Sequence, residues 1–437
     1  MTPHITGATA SEIADSVRAL RERGHLLPGQ LLPSVRELAT SLGVNRNTAS
    51  AAYQLLAAAG IVVTRGRAGT TIADTSRAPQ EGFASDTVLR DIGTGNPDPA
   101  RIPHPGQALA AATGRPVLYG EPVIDRELEA WAQEWFAADL PSRDFRLTIT
   151  SGAVDAVERL LTQALLRDDL VGLEDPCFLA SIHTVRLGGY RVAPVPVDEE
   201  GMTVEGLRAA LDAGIRALVC TPRAQNPTGA SLSPRRAEAL RAVLADHPYV
   251  LVIEDDHFSL LAQNPYESLI GPSHQRFALV RSVSKFLGPD MCLAVAATDP
   301  VTADRLALRL SPGTTWVSHL LQRLTFALLS DPEVRGRIAD AGGHYAARNA
   351  AFAAALARRG IAVSPGEGLS LWVELPVPAR DAAEHLMRRG WLARTGDEFM
   401  LDTAQPSHHL RLTVHDLSDE DAAALADDLA AAVASAR

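Results

Sequence analysis

Five short stretches hold residue types that could act together on a small molecule. In "TSGAVDAVERLL" a strand-like run passes through Ser151 and Gly152 into a helix, leaving free backbone N–H groups and a positive dipole end for an anion such as phosphate. "EDPCF" offers Phe178 as a face for a flat ring, and "RAQNPTG" holds the polar Asn226 in a Pro-Gly turn. "VIEDD" ends an apolar run in carboxylates, which are costly to bury unless positive charge meets them. "SVSK" brings Ser282, Ser284 and Lys285. Lys285 is the only lysine among 437 residues, against forty arginines. Guanidinium replaces ammonium in salt bridges and phosphate contacts, but not in imine chemistry, which needs an amine able to lose its proton.

A phosphate cradle, an aromatic face, a hydrogen-bonding amide, an acid for a ring nitrogen and an amine are together what pyridoxal 5′-phosphate requires. Singly, each has an ordinary reading: Ser-Gly before a helix is a cap, NPTG a turn, and a strand-end Asp a capping or surface residue. Their order and spacing are harder to produce as separate accidents.

Such groups converge when strands of an open α/β sheet end along one edge. The sequence supplies that pattern: "FRLTIT", "DLVGLED", "IRALVCTP", "YVLVIEDD" and "FALVRSVS" are strand-like runs alternating with helical stretches, which predicts a mainly parallel sheet covered by helices. From about residue 335 a smaller α/β portion contains "LSLWVELP" and "HLRLTVHD". Residues 76–90 show little periodicity and read as a linker between residues 1–75 and 91–437.

The first 75 residues differ in character. They carry a charge of +2, while the remainder carries −13 of the formal −11 total. "ASEIADSVRALRERG" places Ile13, Val17 and Leu20 on one helix face and stops at Gly24. "LLPSVRELATSLG" predicts a second helix with Ser34 as N-cap, Glu37 in the capping-box position and Gly43 at its end. A third runs from Asn45 to Gly60, followed by two short β-rich runs in "IVVTRGRAGTTIA". Three helices and a hairpin form a winged helix-turn-helix pattern. Polar and basic residues crowd the start of the third helix, as they should where a recognition helix enters the major groove: Asn45, Arg46, Asn47 and Thr48. Arg36 can contact the DNA backbone or a base edge, and Arg65 and Arg67 on the wing suit phosphates. "NRNT" read alone is also a solvated helix start.

The stretch from "LLPGQLLPSVREL" to "RGRAGTTIA" resembles the GntR-type winged helix-turn-helix along its length, which implies DNA contacts from Arg36, Asn45, Arg46, Asn47, Thr48 and Gly66. Residues from about 91 onward resemble fold-type I, class I/II aminotransferases, and the whole chain resembles the MocR-like transcriptional regulators. That resemblance implies pyridoxal phosphate bound through Lys285, with Asp255 on the ring nitrogen, Asn226 on the phenolic oxygen and Phe178 stacked on the ring. Ser151, Gly152, Ala153 and Ser282 would hold the phosphate, Arg411 in "HHLRLTV" a substrate or effector carboxylate. Tyr119 in "LYGEP" would reach the cofactor of a neighbouring subunit in a homodimer.

Departures from the family pattern bear on turnover. "EDDH" places His257 where the motif has tyrosine, and an imidazole titrates near neutral pH. Cys292 stands where the family has a phosphate-binding arginine, a loss of roughly 1.5–3 kcal/mol, or about ten- to a hundredfold in affinity. "LYGEPVIDRELEAW" lacks the usual glycine and Leu-Arg pair. The expectation is therefore a double-stranded-DNA-binding regulator that senses pyridoxal phosphate or its adduct with an amine or amino acid. The alternatives are an active aminotransferase with a DNA-binding head, and a regulator whose pocket no longer takes the cofactor.

Bulk properties fit a globular protein: 46% hydrophobic residues, no apolar run near the roughly 20 residues of a membrane span, and no signal-peptide pattern. A cytoplasmic location is expected. Cys177, Cys220 and Cys292 are odd in number and far apart, which argues against a disulfide framework or paired-cysteine metal site and reads as core thiols.

Overall fold

The structure is a computed structural model that describes residues 4–59, 61–64, 69–72, 82, 84, 87–140, 144–310, 316–401 and 405–435. The chain divides into two compact units, one of Met1–Gln80 with Val185–Tyr190, the other of Glu81–Thr184 with Arg191–Arg437.

The first unit holds helices α1 (Ala10–Glu22), α2 (Val35–Leu42) and α3 (Arg46–Ala58), then antiparallel strands β1 (Val62–Thr64) and β2 (Thr70–Ile72). Capping fixes the starts: Thr9 with Glu12 on α1 and Ser34 with Glu37 on α2 form reciprocal boxes, and Asn45 caps α3. Gly43 closes α2 in the left-handed conformation at φ +67°. Ile13, Val17, Leu38, Ala52, Leu56 and Ile72 pack into one core. Tyr53 donates its hydroxyl proton to the Pro33 carbonyl at 2.6 Å, and the Leu32 N–H donates to Thr70, so the turn before α2 is tied to α3 and β2. Arg65, Gly66 and Arg67, together with Gly60 and most of the linker, lie outside the described residues.

In the second unit, β4 (Arg146–Thr150), β5 (Leu170–Asp175), β6 (Arg191–Asp198), β7 (Gly201–Met202), β8 (Ala217–Cys220), β9 (Leu251–Asp255), β10 (Phe277–Ser282) and β11 (Ala294–Thr298) form one eight-stranded sheet. A short β3 (Arg90–Asp91) belongs elsewhere. The order is β4-β11-β10-β9-β8-β5-β6-β7, parallel from β10 through β6, with β11 antiparallel to both neighbours and β7 antiparallel to β6. The sheet is thus mixed rather than purely parallel. Every residue of β8, β9, β10 and β11 is buried, as expected for strands covered on both faces.

A smaller core gathers the long helix Pro332–Ala357, the helix Asp419–Ser435 and the antiparallel sheet of β12 (Leu371–Glu374), β15 (His409–Leu412) and β14 (Arg394–Thr395). β13 (Trp391–Leu392) pairs in parallel with β3, which brings Ile92 into this core. β15 is the central strand, so Arg411 is fully buried rather than placed on a sheet edge. Among the described residues no helix is long and apolar enough to cross a membrane, and no group of three or more His, Cys, Asp or Glu is placed to hold a metal.

Candidate functional site

Asp255, the last residue of β9, and Asp256, just after it, separate by strand alternation, since successive side chains point to opposite faces. Asp256 meets Arg223, whose Nε and Nη2 donate at 2.8 and 2.9 Å, and the buried Arg281, whose Nε donates at 2.8 Å. Burial alone would raise its pKa, but these two cations hold the Asp256 carboxyl below its ordinary range. Asp255 has no such partner. Its Oδ1 is buried and makes no hydrogen bond among the described residues, and burial, with the charge of Asp256 beside it, pushes the carboxyl up to about 7. Lys285 opposes that rise electrostatically. A buried carboxylate oxygen without a donor among the described residues, electrostatically coupled to an amine, fits a protonated ring nitrogen.

Lys285 sits in the short helix Ser284–Leu287 that follows β10, and its Nζ donates to the Gly95 carbonyl at 3.1 Å. Across the cavity, Arg411 Nη1 donates to Asn226 Oδ1 at 3.2 Å and Nη2 to the Gly93 carbonyl at 2.7 Å, with the guanidinium 4.7 Å from the Phe399 ring centre. Gly95, Asn226, His257, Lys285, Ser370 and Arg411 line one cavity. The structure therefore brings Asn226, His257, Lys285 and Arg411 together, with Asp255 electrostatically coupled to the lysine.

Ser151, Gly152, Ala153, Phe178 and Ser282 lie at ends of strands in the same sheet but do not line that cavity. Gly152, at φ +101°, precedes the helix Ala153–Ala164 and supplies no side-chain cap, so the first-turn N–H groups suit an anion. The Ser151 N–H is already used: it donates to Asp155 Oδ2 at 3.0 Å, and Asp155 pairs with Arg159 at 2.6 Å. Ser282 Oγ lies 3.1 Å from Ser284 Oγ, and Phe178 is half-buried just before the helix Leu179–Leu187. Tyr119 is 92% exposed, with the Trp316 ring 5.5 Å away between centroids.

Cys177 and Cys220 are buried, but Cys292 is exposed at φ +41°, its thiol 3.3 Å from the Pro289 carbonyl. The core reading fails for this residue because it ends a one-turn helix at the start of a strand. If the position serves the phosphate, Cys292→Arg should tighten pyridoxal phosphate binding about tenfold or more, read by equilibrium titration.

On α3 the side chains of Asn45, Arg46 and Asn47 are exposed and Thr48 is half-exposed, as is required for contact with a groove; Arg36 on α2 is exposed too. Asn45 Oδ1 accepts the Asn47 N–H at 2.9 Å, so its oxygen is occupied by the cap.

Sequence reasoning missed Gln225 and Glu367, which organise the loops around the cavity. The stretch "GEGLS" was the available signal: an acid between two glycines ahead of an apolar strand.

Comparison with known proteins follows the same division. Residues 89–429 match the family described as aminotransferase class I and II, and residues 9–72 match the bacterial regulatory proteins of the gntR family. The vitamin B6 salvage pathway transcriptional repressor PtsJ of Salmonella typhimurium is 47% identical over 426 residues, 97% of this chain and 98% of the relative. The pyridoxine biosynthesis transcriptional regulator PdxR of Corynebacterium glutamicum is 29% identical over 60% of this chain and 59% of its own length. Among solved structures, kynurenine aminotransferase of Pyrococcus horikoshii superposes with a TM-score of 0.70 at 20% identity, covering 80% of this chain and 92% of its own. The α-aminoadipate aminotransferase LysN of Thermus thermophilus, complexed with N-(5′-phosphopyridoxyl)-L-leucine, gives 0.69 at 23% identity, covering 80% and 93%. These two establish the fold.

Proposed function

This chain belongs to the MocR-like transcriptional regulators, a gntR-type head joined to an aminotransferase class I and II domain, and on that premise we propose that it is a vitamin B6-responsive repressor. It is a DNA-binding regulator whose large domain takes pyridoxal phosphate. The observation that carries the cofactor reading is the buried Asp255 oxygen, without a donor among the described residues and electrostatically coupled to the chain's single lysine.

When bound, the cofactor supplies an aldehyde for condensation with a primary amine and an electron-withdrawing ring. The residues have separable tasks. Asp255 would hold a proton at the ring nitrogen. Lys285 provides the amine and is oriented by the Gly95 carbonyl. Asn226 and His257 would address the phenolic oxygen, and Phe178 would cover the ring. Gly152 and Ala153 backbone N–H groups, with the Ser151 and Ser282 hydroxyls, would hold the phosphate. Arg411, pre-oriented by Asn226 and Gly93, receives the carboxylate of an amino-acid effector.

The head reads DNA through α3 and Arg36, with Arg65, Gly66 and Arg67 on the wing. A homodimer, supported by the exposure of Tyr119, would present two heads to a two-fold operator in the cytoplasm. Cofactor or adduct controls the operator only through different affinities for two arrangements of the heads. Genes of vitamin B6 metabolism are the proposed targets, by analogy with the Salmonella relative.

The test is DNA binding by the full-length protein. Arg46→Ala should weaken operator affinity by about 1–3 kcal/mol, roughly five- to a hundredfold, and flatten its salt dependence if the contact is to phosphate. Arg18→Ala, on the exposed face of α1, should leave binding unchanged. Equal effects of the two variants would remove α3 from the interface. Joint retention of Lys285, Asp255, Asn226 and Arg411 favours a second reading, transamination, which release of a keto acid from an amino acid would establish.

A further inference from the structure

Glu367 lies in the loop ahead of β12, within the portion of the chain that carries Arg411, yet its carboxylate serves other loops. One oxygen accepts the backbone N–H of Gln263 at 2.5 Å and of Asn264 at 2.8 Å. The other accepts the Ser231 hydroxyl at 3.0 Å, and that hydroxyl accepts the Ala224 N–H at 3.0 Å. The Glu367 N–H donates to the Gly229 carbonyl at 2.8 Å. Here the two backbones touch: a Cβ on Gly366 would stand 2.6 Å from the Gly229 oxygen, and one on Gly229 2.6 Å from the Glu367 oxygen. Glycine at both positions is what lets the carboxylate reach three donors. The Glu367 side chain is correspondingly about nine-tenths buried.

The turn gripped in this way is the one that holds Asn226. Its other side is fixed by Gln225, whose Nε2 donates to the Pro176 carbonyl at 2.7 Å and to Glu174 at 3.2 Å, while its Oε1 accepts the Thr228 N–H and hydroxyl at 3.1 and 2.6 Å. A continuous polar path therefore runs from the segment before Phe178, through the Asn226 turn, to the loop before the strand that pairs with β15. The Gln225 bonds to Pro176 and Glu174 are buried and the others part-buried, so an orphaned donor there costs more than the bond gains.

We infer that Glu367 is a positioning residue: it locks the 224–231 turn to the smaller α/β portion, so that Asn226 in the pocket and Arg411 across from it are placed as one unit. This rests on the pocket reading above, in that Asn226 and Arg411 are taken to face the cofactor and effector. Loss of the carboxylate strands the Gln263 and Asn264 N–H groups and the Ser231 hydroxyl, and frees the turn to move away from Arg411. Glutamine keeps an acceptor for the two N–H groups and offers a donor to Ser231, so it should preserve the lock.

The test combines hydrogen exchange on the full-length protein without cofactor and titration with pyridoxal phosphate. In Glu367→Ala, exchange in segments 224–231 and 263–264 should accelerate at least tenfold, and cofactor affinity should fall about tenfold. Glu367→Gln should restore most of both, and Ser231→Ala, which removes the hydroxyl's bonds to Glu367 and to the Ala224 N–H, should give an intermediate acceleration confined to 224–231. The Asn226→Ala, Glu367→Ala double variant should bind no more weakly than Asn226→Ala alone, because Glu367 acts through that residue. Unchanged exchange in both Glu367→Ala and Ser231→Ala, a glutamine variant no better than alanine, or additive losses of affinity would each overturn the assignment. Failure of the wild type to bind the cofactor would sink the pocket reading instead, and the exchange data would still judge the lock.

Discussion

Lys285→Ala should abolish covalent capture of pyridoxal phosphate while leaving the fold intact. The wild type should develop a visible absorption band on addition of the cofactor, and borohydride followed by peptide mass mapping should fix the label at Lys285. The chain makes this experiment unusually clean. With a single lysine, the terminal amine is the only other primary amine available for labelling. Lys285→Arg is the informative companion, because it keeps a cation beside Asp255 but cannot form an imine. It should match alanine in the chemistry and the wild type in stability. A label that persists at another position would remove the lysine from the centre of the pocket.

Asp255→Asn should separate stability from binding. The Asp255 carboxyl is raised to about 7 by burial and by neighbouring Asp256, well above its ordinary value of 3.8. Between those values the folded chain retains a proton that the unfolded chain releases, so this group makes the cofactor-free protein less stable as pH rises from about 4 to 7. Asparagine carries no charge to desolvate. The variant should therefore lose that part of the pH dependence and gain on the order of 1–3 kcal/mol in unfolding free energy near pH 8, measured by denaturant titration without cofactor. Pyridoxal phosphate affinity should move the opposite way, by about 3–5 kcal/mol or at least a hundredfold, because the protonated ring nitrogen loses its buried counter-charge. Loss of stability together with retained affinity would mean that Asp255 is structural.

Much of this arrangement was legible in the sequence because local rules act alone there. The box at Ser34, the helix start at Asn45 and the Gly43 stop each follow from a few neighbouring residues. The runs ending in Asp255 and Ser282 are long, apolar and buried on both sides, so they read as central strands without ambiguity. β6 was hidden by Pro194 and Pro196, tolerated because it lies near the sheet edge, where it pairs with β5 and only the two-residue β7. The antiparallel β11 carries no cue to its direction, since alanine and valine fit either pairing.

The site was legible in its residue types and not in its connections. That Asp256 rather than Asp255 is paired with cations depends on Arg223 and Arg281, which are 33 and 25 residues away from Asp256. The roles of Gln225 and Glu367 depend on contacts spanning 49 and 136 residues. No periodicity encodes such pairings.

The most direct test of the whole account is operator affinity of the full-length protein, on DNA selected by the protein itself, with and without saturating pyridoxal phosphate, in the wild type and in Lys285→Ala. The account predicts that the cofactor shifts wild-type affinity by about five- to a hundredfold, the usual span of a coupling free energy, and leaves the variant unmoved. Identical shifts in both proteins, or none in the wild type, would contradict it.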